Sequence, residues 1–152
     1  MLKKRIVSRG LVPEVSSTYR GGEGQNIKPE NLLNGDKTGM WSSEFADNQF
    51  VLIDFGMRYC FTDIELVWEN GAKEYSVSVS DDKKNWQKVY SVKQREYGRV
   101  QYAFDACGRY VKIDLIKRLN ETYGFCFWDL AFYGEAEKMP ISINRAGAQA
   151  RQ

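Results

Sequence analysis

Tyr123-Gly124-Phe125-Cys126-Phe127-Trp128-Asp129-Leu130-Ala131-Phe132-Tyr133-Gly134 is an aromatic run that closes on a glycine. Aromatic side chains suit a pleated, half-buried surface, so the run predicts a strand. Upstream, apolar residues recur with a period of two rather than 3.6. Val51, Ile53 and Phe55 alternate with Leu52 and Asp54, and Ile64, Leu66 and Trp68 with Asp63, Glu65 and Val67. Tyr75, Val77 and Val79 alternate with Ser76, Ser78 and Ser80, and Val111, Ile113 and Leu115 with Lys112 and Asp114. Shorter runs at 87–92 and 99–104 fit between them. Turn signals separate the runs: Asn70-Gly71, the Asx-rich segment 80–85, and Cys107-Gly108. With no helical stretch of note, the pattern predicts an all-β antiparallel sandwich. The longest region without strand character, 16–48, is long enough to be functional or pinned by a metal.

A length of 152 residues implies one domain. A chain of this size buries roughly 70% of its unfolded surface and needs no covalent staple. The 22 basic and 20 acidic residues leave a net charge of +2, too balanced to point to nucleic acid. No apolar run approaches the ~18 residues of a membrane span, so a membrane partner is not expected. The basic opening lacks the apolar region of a signal peptide. That leaves cytosolic synthesis, with or without display on an assembly, or excision from a secreted chain. Residues 1–13 and 136–152 read as tails around a domain at 14–135, flexible unless a partner chain orders them. Cys60, Cys107 and Cys126 are an odd set without a CxxC pair and read as three reduced, partly buried thiols. The absence of histidine excludes Ser–His and Cys–His nucleophilic sites and histidine-ligated metals. Trp41, Trp86 and Trp128 read as core residues; Trp68, at a strand end, fits either core or surface.

The ordered set of motifs resembles the discoidin (coagulation factor 5/8 C-type) domain and is most similar to family-32 carbohydrate-binding modules. The matching pieces are Val15-Ser16-Ser17, then Asn31-Leu32-Leu33-Asn34-Gly35-Asp36 with Trp41-Ser42-Ser43, then 49–56. They continue through Ile64 to Glu69, 73–82 with Asn85-Trp86, Arg109-Tyr110-Val111-Lys112-Ile113, and Arg118 to Gly134. Each motif alone is weak; their order over about 120 residues is specific. The resemblance implies an eight-stranded antiparallel jelly-roll β-sandwich of the galactose-binding-like kind.

It also implies a structural Ca²⁺ beneath the first loop. Its ligands would be the carbonyls of Asn31, Asp36 and Gly39 and the side chains of Asn34 and Asp129. Calcium accepts 6–8 oxygens and tolerates carbonyls. Three positions depart from the family pattern: Asn34 replaces Asp, Gly39 replaces Thr and Asp129 replaces Glu. The competing reading is a loop closed by a Gly-Asp turn and local hydrogen bonds.

The implied function is non-catalytic, lectin-like binding of a cell-surface glycan or polysaccharide at loops on one end of the sandwich. Such a site needs aromatic faces for C–H groups and polar groups for hydroxyls. By position, ligand contacts fall on Tyr19, Glu44, Arg118 and Tyr123, with Arg20, Phe45, Glu69 and Phe125 as neighbours. Arg118 offers a planar fork for vicinal hydroxyls or a carboxylate, or else pairs structurally with Glu121 or Asp129. Tyr123 and Phe125 could instead lid the core. Glu44 and Glu69 are solvated unless the ligand is cationic. A single shallow site predicts a Kd on the order of 1 mM, near −4 kcal/mol. The alternative is a structural protein of a larger assembly, such as a phage virion component, docked through its tails. Glu44 and Glu69 could pair as a hydrolase acid and base, but nothing in their spacing singles them out.

Overall fold

A computed structural model describes residues 5–137; of the expected tails, 1–4 and 138–152 lie outside the described residues, and Ala136 belongs to the last strand. The elements are β1 (Glu14–Val15), a 3-10 turn (Pro29–Leu32), β2 (Trp41–Ser42), β3 (Gln49–Asn70), β4 (Ala72–Ser80), β5 (Gln87–Val92), β6 (Arg99–Arg118) and β7 (Cys126–Ala136). All strand pairs are antiparallel, in the order β2-β7-β3-β6-β4-β5, with β1 on β3. Among the described residues, no helix is long and apolar enough to cross a membrane.

Two pairs of runs that look separate in the sequence are continuous. Residues 49–55 and 61–68 both lie in β3, and residues 99–104 and 109–115 both lie in β6. Their pairing skips between Asp54 and Tyr59, where the ribbon bends. Gly56, at φ +82°, supplies a left-handed residue within that bend. The first half of β3 and second half of β6 join β1, β4 and β5 in one layer; the remaining halves join β7 and β2 in the other. A sandwich results from one folded-over sheet.

Between the layers, Phe61 meets Phe55 at 4.9 Å and Phe104 at 5.5 Å, and Phe104 meets Phe132 at 5.9 Å between ring centroids. Trp68 is buried and stacks on Phe127 at 4.1 Å. Glu96 is buried as well. Its carboxylate accepts hydrogen bonds from Trp68 Nε1 at 2.8 Å, Tyr75 OH at 2.7 Å and Tyr102 OH. Those donors come from both layers, so one anion ties the layers together. A buried carboxylate persists only with such partners. Burial raises the phenol pKa of Tyr75 and Tyr90, and that of Tyr102 to about 12.

Four expectations change. Cys60 and Cys107 form a disulfide rather than two free thiols, because they lie directly opposite in the β3–β6 register. Their separation of 47 residues gives no hint of that register. Cys126 is free and buried, and burial pushes its thiol up to about 11. Trp41 is core, but Trp86 is half-buried and Trp128 is exposed. Residues 5–13, read as part of a basic tail, are tied to β7 and the 3-10 turn. Gly134 N–H donates to Arg5 O at 3.1 Å and Val7 N–H to Phe132 O at 2.8 Å. Gly10 N–H donates to Leu33 O at 3.2 Å, just past the turn.

Candidate functional site

Three segments meet at one end of the sandwich. β2 pairs with the start of β7, Trp41 opposite Phe127 and Ser42 opposite Cys126. Ser43 N–H donates to Phe125 O at 2.9 Å, and Phe125 N–H to Ser43 Oγ at 3.0 Å. Tyr19 N–H donates to Ser42 O at 2.8 Å, which lays the segment around Thr18 alongside β2. The junction is too tight for any residue but glycine at 124: a Cβ there would lie 2.3 Å from Ser43 O.

This packing brings Tyr19, Phe45 and Tyr123 together. Tyr19 stacks on Phe45 at 4.6 Å and 14° between ring planes, and Tyr123 meets Phe45 edge-on at 6.2 Å. Phe45 remains 43% exposed and Tyr123 54%. The rings, with Glu69, Gln25, Ile27 and Met40, line an open hollow of about 310 Å³.

Glu69 reaches the hollow through a β-bulge. Trp68 faces Phe127 and Asn70 faces Cys126, so Glu69 is the extra, unpaired residue on β3. The adjacent step is a mirror irregularity. Val67 faces Asp129 and Trp68 faces Phe127, which leaves Trp128 extra on β7 and turns it outward. Glu69 neighbours the Cys126 thiol. Among the described residues, neither Glu69 nor the exposed Glu44 has an ion-pair partner.

The other expected contacts are placed differently. Arg20 is exposed and lines a groove with Tyr19, Gln25 and Lys28 that adjoins the hollow, rather than the hollow itself. Phe125 is fully buried and belongs to the core, because the bonds to Ser43 turn its side chain inward. Arg118 is a brace rather than an open fork. Its Nε donates to Asp47 Oδ1 at 2.9 Å and its Nη1 to Glu121 O at 2.8 Å and Tyr123 O at 3.4 Å. The guanidinium therefore sets the loop that presents Tyr123. Hydrogen bonding to Arg118 holds the Asp47 carboxyl below its ordinary pKa.

Of the groups expected to hold calcium, the Asn34 side chain, Asp36 O and Asp129 bond to other protein groups. The buried Asn31 donates through Nδ2 to Met40 O at 2.9 Å and to Asn26 O at 3.1 Å, closing the loop. Asn34 Nδ2 donates to Asn31 Oδ1 at 3.1 Å, and Asn34 Oδ1 accepts from Asp36 N–H at 2.8 Å. Asp36 Oδ1 accepts from Thr38 N–H at 2.9 Å and Thr38 Oγ1 at 2.6 Å, and these bonds lower the Asp36 pKa. Gly39 N–H donates to Asp36 O at 3.4 Å. Both oxygens of Asp129 are taken by Arg9.

Residues 14–129 match the model of the F5/8 type C domain. The chain belongs to that family. Similar solved structures include chitosan-binding module 1 of a chitosanase/glucanase from Paenibacillus sp. IK-5, at 25% identity and a TM-score of 0.75, covering 86% of this chain and 99% of that one. Module 2 of the same enzyme, in complex with chitotriose, has 24% identity and a TM-score of 0.75, covering 84% and 99%. A family-32 module of Clostridium perfringens in complex with GalNAc-β-1,3-galactose has 15% identity and a TM-score of 0.72, covering 84% and 99%. These likenesses support the β-sandwich fold. No curated protein matches the chain.

Proposed function

We propose that this F5/8 type C domain is a non-catalytic carbohydrate-binding module whose contact face is the Tyr19–Phe45–Tyr123 cluster. The observation that carries the proposal is the hollow where these rings remain partly exposed beside Glu69. Sugar recognition needs an apolar face for C–H groups and polar groups at its rim, and both are present. Arg118 and Gly124 hold the cluster in place before any ligand arrives, which lowers the ordering cost of binding.

The finer reading is a cationic amino-sugar polymer. Glu69 lines the hollow and Glu44 is exposed next to Phe45 in the chain; among the described residues neither has an ion-pair partner, and such carboxylates favour protonated amines over neutral hydroxyls. The Paenibacillus module that binds chitosan is a fitting relative for this reading. One shallow site gives a Kd on the order of 1 mM, so useful retention on a polymer requires several copies. A glycan array probed with the intact chain tests the proposal. Binding to chitosan-type oligosaccharides above neutral glucans is expected. Silence across chitosans, glucans, pectins and host glycans would overturn it.

A further inference from the structure

We propose that Arg9 is the built-in cation of the first loop, and that its guanidinium does the structural work the family resemblance assigns to a calcium ion. Arg9 Nη1 lies 2.7 Å from Asp129 Oδ1, and Nη2 lies 2.9 Å from Oδ2. This is a two-pronged fork that uses both carboxylate oxygens. Nη1 also donates to Leu130 O at 3.3 Å. The same side chain crosses to the loop, where its Nε is 3.4 Å and its Cζ 3.6 Å from the position of a Cβ on Gly35. The next residue continues the joint, because Gly10 N–H donates to Leu33 O at 3.2 Å. The N-terminal segment therefore brings a cation onto Asp129 of β7, beside Gly35, while its backbone bonds Leu33 at the start of the loop.

The strap that delivers Arg9 is itself anchored. Val7 N–H donates to Phe132 O at 2.8 Å, and the buried Ser8 Oγ accepts from Phe132 N–H at 3.1 Å. Its backbone position is thus set independently of the ion pair. Placing Ca²⁺ on Asp129 as well would set a divalent charge against the guanidinium with one shared carboxylate between them. The substitutions noted in the sequence agree. Asn34 removes a negative charge that calcium would use, and the shorter Asp129 meets an arginine that reaches toward it.

The test is thermal unfolding of the full chain in millimolar CaCl₂ and in EDTA, for the wild type, Arg9→Gln, Asp129→Asn and the double variant. The wild-type Tm is expected to agree between the two conditions within about 1 °C, because no bound ligand is added or removed. Each single variant is expected to melt about 3–8 °C lower, and the double variant no lower than the worse single, since both remove one interaction. A wild-type Tm raised by calcium or lowered by EDTA would overturn the proposal, and this comparison needs no variant to fold. Single-variant losses that add in the double variant would also overturn it.

Discussion

Two clusters of this protein are built from the same parts, aromatic rings and glutamate, and they behave oppositely. In the core, Glu96 accepts from Trp68, Tyr75 and Tyr102, and its capacity is filled by donors from both layers. At the end of the sandwich, Glu69 lines the hollow with Tyr19, Phe45 and Tyr123, Glu44 is exposed next to Phe45 in the chain, and among the described residues neither has an ion-pair partner. A saturated carboxylate among buried rings is structure. An unsaturated one beside exposed rings has capacity left for a ligand. Trp68 and Glu69 are adjacent in sequence yet fall on opposite sides of this divide, because successive strand residues point to opposite faces.

The largest effects should come from the filled cluster. Glu96→Ala leaves three donors in the core without their acceptor and should cost about 3–5 kcal/mol in urea unfolding. Phe125→Ala should also cost about 3–5 kcal/mol by opening a cavity. Tyr123→Ala, two residues away and exposed, should stay within about 0.5 kcal/mol of wild type. Equal losses for Phe125→Ala and Tyr123→Ala would erase the contrast between core and face.

The filled cluster should also be sensitive to alkali. Tyr75, Tyr90 and Tyr102 have folded-state pKa values raised above their unfolded value, Tyr102 to about 12. Their contribution to stability is full below the unfolded phenol value of about 10 and is lost as pH rises beyond it, because the unfolded chain then releases protons more readily. Chemical denaturation repeated from neutral pH upward should show a stable plateau, then a decline starting near pH 10. Stability that does not change up to pH 12 would contradict the burial of these phenols.

The sequence made the strands legible because each has one buried face, and period-two alternation records that directly. Family position offered Tyr19, Glu44, Arg118 and Tyr123, with Arg20, Phe45, Glu69 and Phe125 as neighbours; of these eight, Tyr19, Phe45, Glu69 and Tyr123 line one hollow. What the sequence could not carry was register. The Cys60–Cys107 disulfide and the outward turn of Trp128 both depend on which residues oppose each other across strands distant in sequence. Arg9 was hidden for another reason: a basic residue in a basic opening looks like solvated charge until its carboxylate partner on β7 is known.

Smaller effects belong to the open cluster. Tyr123→Ala should weaken glycan binding by about 5–30-fold, as expected for losing one aromatic anchor. Glu44→Gln and Glu69→Gln should each weaken binding of a cationic oligosaccharide by about 2–5-fold. These two losses should shrink as salt is added, because exposed charges are screened. Calorimetric titration at two ionic strengths separates the charge contribution from the stacking contribution.

The most direct measurement is an amide chemical-shift map of the full chain titrated with a soluble chitosan oligosaccharide. Saturable shifts should concentrate at Tyr19, Phe45, Glu69 and Tyr123 and leave the Glu96 cluster unchanged. Shifts centred instead on the outward-facing Trp128, or no saturable shift with any glycan offered, would contradict the assignment of the open aromatic cluster as the binding face.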